Sequence, residues 1–200
     1  RARETLPDLR LVIAGCGPDE DALRKVLPDA VFLGWPEQHR PAQLYAGLDL
    51  FTGEHVQAPY AAINPNKLVP TLEDGDFTLT ENSAILKYLA DKIDSPAYPK
   101  DLQKRARVNE RMDWTSTQLC IDLVYALVYP QIFDAHKRRS DEAQAATLER
   151  GKARAQAWLE VLDKNVLGTD NAYLCGNDIT IADYHAASYV ALAEVIGSDL

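Results

Sequence analysis

The feature that most constrains this chain is the place where its β-forming residues stop. Short runs rich in Val, Ile, Leu and Phe recur up to Leu79, and beyond residue 100 helical spacing dominates the apolar pattern. Strands alternating with helices and then helices alone predict an α/β part followed by an all-α part.

In the first part, residues 9–14 form a compact β-prone run that stops at Gly15-Cys16-Gly17-Pro18. Residues 19–27 then carry Ala22, Leu23, Val26 and Leu27 at helical spacing, with Asp19, Glu20 and Asp21 at the start, where the helix dipole favours negative charge. Residues 30–33 read as a second strand ending at Gly34. Residues 41–46 read as a short helix with Pro41 in its first turn, and residues 48–51 as a third strand. This order predicts a parallel βαβαβ sheet.

After Thr52-Gly53 the character changes. A short helical piece at 59–63 leads into Asn64-Pro65-Asn66, and residues 68–72 and 77–79 form two strands about a Glu73-Asp74-Gly75-Asp76 turn. Residues 81–92 follow as a helix with Ala84, Ile85, Tyr88 and Leu89 on one face. Long helices are expected at 101–128, 140–165 and 180–195. The two prolines of Ser95 to Pro99 mark a boundary between an α/β domain (1–94) and a helical domain (100–200). No Met opens the chain, so it reads as cut from something longer, processed or assembled, and its helical domain as truncated at the C-terminus.

Charge narrows the partners. Thirty acidic against 21 basic residues give a net charge of -9, which argues against nucleic acid or an anionic membrane, since phosphates require a positive footprint. Lys137-Arg138-Arg139 is a local exception that reads as a solvated turn. No apolar run reaches the ~20 residues that cross a bilayer. Cys16, Cys120 and Cys175 are scattered without metal-ligand spacing, which fits a reducing cytoplasm and no structural metal.

Four segments stand out. Val69-Pro70 is a candidate cis bond that leaves the Val69 N–H and C=O free to pair with an extended peptide, and the helix start at Glu81 offers unpaired N–H groups suited to a carboxylate. Thr180-Ile181-Ala182-Asp183 has the spacing of a capping box: Thr180 caps main-chain N–H groups and Asp183 reaches back to the cap residue. The aromatics Trp114, Tyr125 and Tyr129 lie along one long helix, where core packing is their ordinary use. Cys16, in a Gly-rich turn at a helix start, is a candidate reactive thiol.

Taken together, residues 64–85, Thr52-Gly53-Glu54-His55, the stretch 98–108 and Tyr173 to Tyr184 resemble the glutathione transferases, particularly theta-like and bacterial members, from about residue 49 to 200. The resemblance implies a thioredoxin-like second half (52–94), a helical domain, glutathione as substrate and a homodimer. It implies that Val69 and Pro70 hold the cysteinyl backbone of glutathione and that Glu81 meets the γ-glutamyl amine. Asn82, where the family usually has Ser, falls at the γ-glutamyl carboxylate, and Lys67 and His55 near the glycyl end. Trp114, Tyr125 and Tyr129 would line the wall for a hydrophobic co-substrate, and Thr180 and Asp183 would serve folding.

The front differs. Residues 6–18, 30–35 and 44–51 resemble the nucleotide-sugar-binding Rossmann half of a retaining glycosyltransferase, without the acidic donor-binding motif that follows there. The family's thiol-activating Ser, Cys or Tyr has no counterpart in the loop Trp35-Pro36-Glu37-Gln38-His39-Arg40, where His39 or Arg40 would act only by attracting a thiolate. The expectation is a transferase-like protein with a partial glutathione site and weak or absent conjugating activity. The alternatives are a non-catalytic chimera and a nucleotide-sugar-dependent glycosyltransferase fragment, on a thioredoxin-like or Rossmann-like sheet of mixed origin.

Overall fold

The computed structural model describes residues 12–14, 31–34, 53–194 and 196–197. The chain divides into two compact units, Arg1–Glu81 and Asn82–Leu200.

In the first unit β1 (Val12–Ala14) and β2 (Val31–Gly34) pair in parallel, with a register irregularity between Ile13 and Ala14. A parallel pair needs a crossover between its strands, as the alternating pattern requires. The expected third strand at 48–51 and the helices at 19–27 and 41–46 lie outside the described residues. A 3-10 turn, Glu54–Val56, precedes α1 (Ala58–Ile63), whose first turn accommodates Pro59 because an N–H there would have no helical partner. β3 (Thr71–Asp74) and β4 (Phe77–Thr80) form the antiparallel hairpin, Thr71 opposite Thr80 and Asp74 opposite Phe77. Gly75 takes the positive φ of 66° that this tight turn demands. Among the described residues the two strand pairs are separate sheets.

The second unit is helical. It begins with α2 (Asn82–Lys92), which packs against α6 (Ile181–Glu194) and so groups with the helices, although the prolines at 96 and 99 placed a boundary after it. α3 (Leu102–Trp114) starts at Asp101, whose carboxylate accepts the Lys104 N–H at 2.9 Å. The same long helix continues through Thr115–Val128, where its turns widen to π-helical, and ends in α4 (Tyr129–Ile132). A π stretch of 14 residues is far beyond the usual single-turn bulge. α5 (Asp141–Val161) is capped by Ser140 and runs on into a second π stretch, Leu162–Leu167.

Two apolar clusters hold these helices. Val108, Met112, Leu174, Ile181 and Ala182 join α3 to α6, and Leu119, Leu123, Leu127 and Ala155 join the π stretch to α5. Gly151 makes the second contact close: a Cβ there would sit 2.9 Å from the Ala126 carbonyl carbon and oxygen. Among the described residues no helix is long and apolar enough to cross a membrane.

Candidate functional site

In the first unit the segment Lys67-Leu68-Val69-Pro70 is built on a buried polar triad. Tyr60 on α1, Asn64 just after it and Thr71 at the start of β3 are 4%, 2% and 0% exposed. The Tyr60 hydroxyl donates to the Leu68 carbonyl, and the Asn64 amide donates to the same carbonyl at 2.7 Å and to Thr71 Oγ1 at 3.2 Å. With the Tyr60 proton used on Leu68, Thr71 donates its own to the Tyr60 oxygen at 2.8 Å, and the triad is satisfied. Asn64 also accepts the Asn66 N–H through its side chain and the Lys67 N–H through its carbonyl, closing a tight turn in which Lys67 has φ 57°.

This platform presents the Val69–Pro70 peptide bond, which is cis. The Val69 N–H and C=O take part in no hydrogen bond among the described residues, so an extended main chain can pair there as a further strand does. Lys67 is exposed and Val69 and Pro70 are half-buried. His55 lies in the 3-10 turn before α1, and its buried Nδ1 meets no partner among the described residues. Sequence reasoning missed Tyr60, Asn64 and Thr71. The polar Tyr-x-x-x-Asn spacing on a short helix beside Val-Pro was the available signal.

The first unit closes with Glu81, exposed and held at φ 71°, a left-handed conformation that a non-glycine residue adopts only where the surroundings impose it. Asn82 opens the second unit and α2. Its side-chain amide nitrogen lies 3.3 Å from Nδ1 of His185 on α6, whose Nε2 lies 2.9 Å from Ser116 Oγ. His185 is 1% exposed, and burial first, then the nearby Lys87, pushes its pKa down to about 4. The neutral ring donates from Nε2 toward Ser116 and the Met112 carbonyl, which leaves Nδ1 to accept from Asn82. Tyr189, pushed up to about 12 chiefly by burial, shares hydrogen bonds with Asn82, Ser116 and Cys120. Burial also raises the thiols of Cys120 and Cys175 above their ordinary range, the opposite of an activated cysteine.

Two groups of aromatics emerge along the long helix. Tyr125, Tyr129, Phe133 and His136 stack edge to face or tilted, with ring centroids 5.0–6.2 Å apart. Trp114 stands apart, edge-on to Trp158 at 6.1 Å within the α5 contact, where Trp158 donates to Asp122 at 2.7 Å. The expected wall of Trp114, Tyr125 and Tyr129 is thus divided.

The capping box also differs in detail. Asp183 Oδ2 accepts both the Thr180 N–H at 2.7 Å and the Thr180 hydroxyl at 2.9 Å, while Oδ1 accepts the Leu174 N–H at 2.8 Å. The Thr180 hydroxyl therefore donates to the carboxylate, and the Ile181 N–H goes to the Ala97 carbonyl at 3.0 Å. Cys16 and His39 lie outside the described residues. Among the described residues no cluster of His, Cys, Asp or Glu is able to hold a metal ion.

Comparison with known proteins agrees with this geometry. The family model for the N-terminal domain of glutathione S-transferases matches residues 45–91. Human glutathione S-transferase theta-1 is 41% identical over 140 residues, which cover 68% of this chain and 56% of that protein. Among solved structures, human glutathione transferase theta-2 in complex with glutathione and an unknown ligand is 34% identical with a TM-score of 0.64, covering 77% of this chain and 63% of that one. A delta-class glutathione transferase of Nilaparvata lugens is 32% identical with a TM-score of 0.58, covering 76% and 67%.

The fold class these define is a thioredoxin-like N-terminal domain followed by a helical domain. The chain belongs to the glutathione S-transferase family, with theta-class members among its relatives. It spans 56–63% of the length of the first curated relatives it matches.

Proposed function

We propose that the chain binds glutathione as a transferase-like protein whose conjugating activity is weak or absent. The observation that carries the binding is the Val69–Pro70 loop, in which both main-chain groups of Val69 are unpaired among the described residues above a buried polar triad. Val69 and Pro70 hold the cysteinyl backbone, Glu81 meets the γ-glutamyl amine, the α2 start at Asn82 meets the γ-glutamyl carboxylate, and Lys67 and His55 serve the glycyl end. A positive Lys67 beside a carboxylate is a charge-assisted contact.

The weak chemistry follows from the front of the chain. A conjugating enzyme must stabilise the glutathione thiolate, and the loop 35–40 contains no Ser, Cys or Tyr; Cys16 and His39 remain as substitutes. Tyr125 and Tyr129, with Phe133 and His136, form an apolar wall for a co-substrate, while Trp114 serves packing. Retention on immobilised glutathione, or a thermal shift at millimolar glutathione, is expected. No binding by either would overturn the reading. Turnover of a reactive aryl halide at the rate of a full transferase would overturn the weak-activity clause.

A second reading keeps the nucleotide-sugar-binding half of a glycosyltransferase at the front, with which the parallel β1–β2 pair is compatible as it is with the opening of a thioredoxin-like fold. A front of mixed origin, a chimera, would keep glutathione binding without conjugation. A thermal shift with a uridine or guanosine diphosphate-sugar tests the glycosyltransferase alternative. A homodimer in the cytoplasm, without nucleic acid, membrane or metal, completes the proposal; sedimentation measures the first part.

A further inference from the structure

At position 82 the family's usual Ser is replaced by Asn, and the structure shows what the longer side chain does. It reaches His185 on α6, a residue 103 positions away, and the same imidazole is fixed on its other side by Ser116 on the π stretch. Asn82, Ser116, Cys120, His185 and Tyr189 form one hydrogen-bonded cluster, buried at His185 and Cys120 and half-exposed at Asn82, Ser116 and Tyr189. The Asn82 amide donates to His185 Nδ1 at 3.3 Å, and the imidazole Nε2–H goes toward Ser116 Oγ at 2.9 Å.

An amide that donates to His185 is drawn toward α6 and is not free to turn to a carboxylate. We propose that His185 is a positioning residue for the γ-glutamyl end of the glutathione site. It holds the Asn82 side chain away from the ligand and fixes the first turn of α2, so that main-chain N–H groups of that turn receive the carboxylate alone. Free N–H groups at the start of an 11-residue helix are suited to that task once the turn is rigid. The inference rests on the glutathione reading above.

Isothermal titration tests it with two ligands: glutathione, and the analogue in which γ-aminobutyrate replaces the γ-glutamyl residue and the carboxylate is lost. The wild-type protein is expected to prefer glutathione. His185→Leu and Asn82→Ala should each weaken glutathione about 3- to 10-fold, the worth of one net hydrogen bond, and leave the analogue unchanged. The double variant should be no worse than either single one, and His185→Gln, which keeps an acceptor for Asn82, should recover most of the affinity. Ser116→Ala, which releases the ring from its other side, gives the same selective loss should His185→Leu not fold.

Equal weakening of both ligands would reduce His185 to a structural role and overturn the inference. So would additive losses in the double variant, which would place the Asn82 amide on the ligand, or unchanged affinity in His185→Leu and Ser116→Ala. A wild-type protein that binds neither ligand overturns the glutathione reading and this inference together; a wild-type protein that binds while the His185 variants match it overturns this inference alone.

Discussion

The loop around Val69–Pro70 and the start of α2 are neighbours in sequence but are held in place by different means. The loop is propped by Tyr60, Asn64 and Thr71, whose hydrogen bonds reach at most 11 residues along the chain. The first turn of α2 is tied through Asn82 to His185, 103 residues on, and through His185 to Ser116. A locally braced loop keeps its shape as long as its own strand and helix survive. A distantly tethered one inherits the stability of the elements that carry its partners, here the π stretch and α6.

The contrast is broken most severely at Asp183. Its carboxylate accepts three hydrogens from Leu174 and Thr180, and it sits two residues before His185 on the same helix. Asp183→Ala leaves those donors without their partner and should cost about 3–4 kcal/mol in urea unfolding, with Asp183→Asn milder. If the two regions are held as described, amide exchange in Asp183→Ala should quicken at the first turn of α2 far more than at Lys67 to Val69.

The tether should next reveal itself through pH. His185 titrates near 4 when folded and near 6.5 when unfolded, because burial and the nearby Lys87 disfavour its charged form while Asp113 opposes them. As pH falls below 6.5 the unfolded chain takes up the proton first. The stability from the neutral ring is therefore complete above pH 6.5, declines between 6.5 and 4, and levels below 4, a loss of about 3 kcal/mol. His185→Leu should remove this part of the slope of thermal stability against pH. An unchanged slope would mean that other groups produce it.

The packing of the long helix separates the two regions from another side. Gly151→Ala pushes a methyl group to within 2.9 Å of the Ala126 main chain and should cost about 2 kcal/mol, although alanine is the better helix former. Since Ser116 rides on that stretch, the loss should reach Asn82 and not Asn64. The smallest effect belongs to the local brace. Asn64→Ala removes two donors, leaves Tyr60 to hold Leu68, and should cost about 1–2 kcal/mol, with weaker glutathione binding as its companion.

What the residues declare in advance follows the same division. The hairpin, α2, the helix-rich second unit and the cis Val69–Pro70 bond all depend on short-range spacing, which is visible in a sequence. The Asn82–His185 bond is not: on α6 a histidine beside Ala182 and Ala186 reads only as a member of an apolar face. The expected aromatic wall divided for a geometric reason. Trp114 and Tyr125 are 11 positions apart, about three whole turns of an α-helix and so on one face. Hydrogen bonds that reach five residues back, as Tyr129 to Val124 does, put more residues in each turn and rotate the two apart. Periodicity alone did not distinguish an α-helix from a π stretch here. Gly151 was legible in principle, since a glycine inside a long helix is costly unless something approaches it closely.

Under the proposed reading Val69 offers its main chain to glutathione. Amide resonances of the 15N-labelled protein, followed while glutathione is added to millimolar concentration, test it at the residue concerned. Large, saturable shifts at Val69 and in the first turn of α2 are the predicted result, with slower exchange of the Val69 N–H once it is paired. Saturable shifts elsewhere with Val69 unmoved, or no shifts at all, would contradict it.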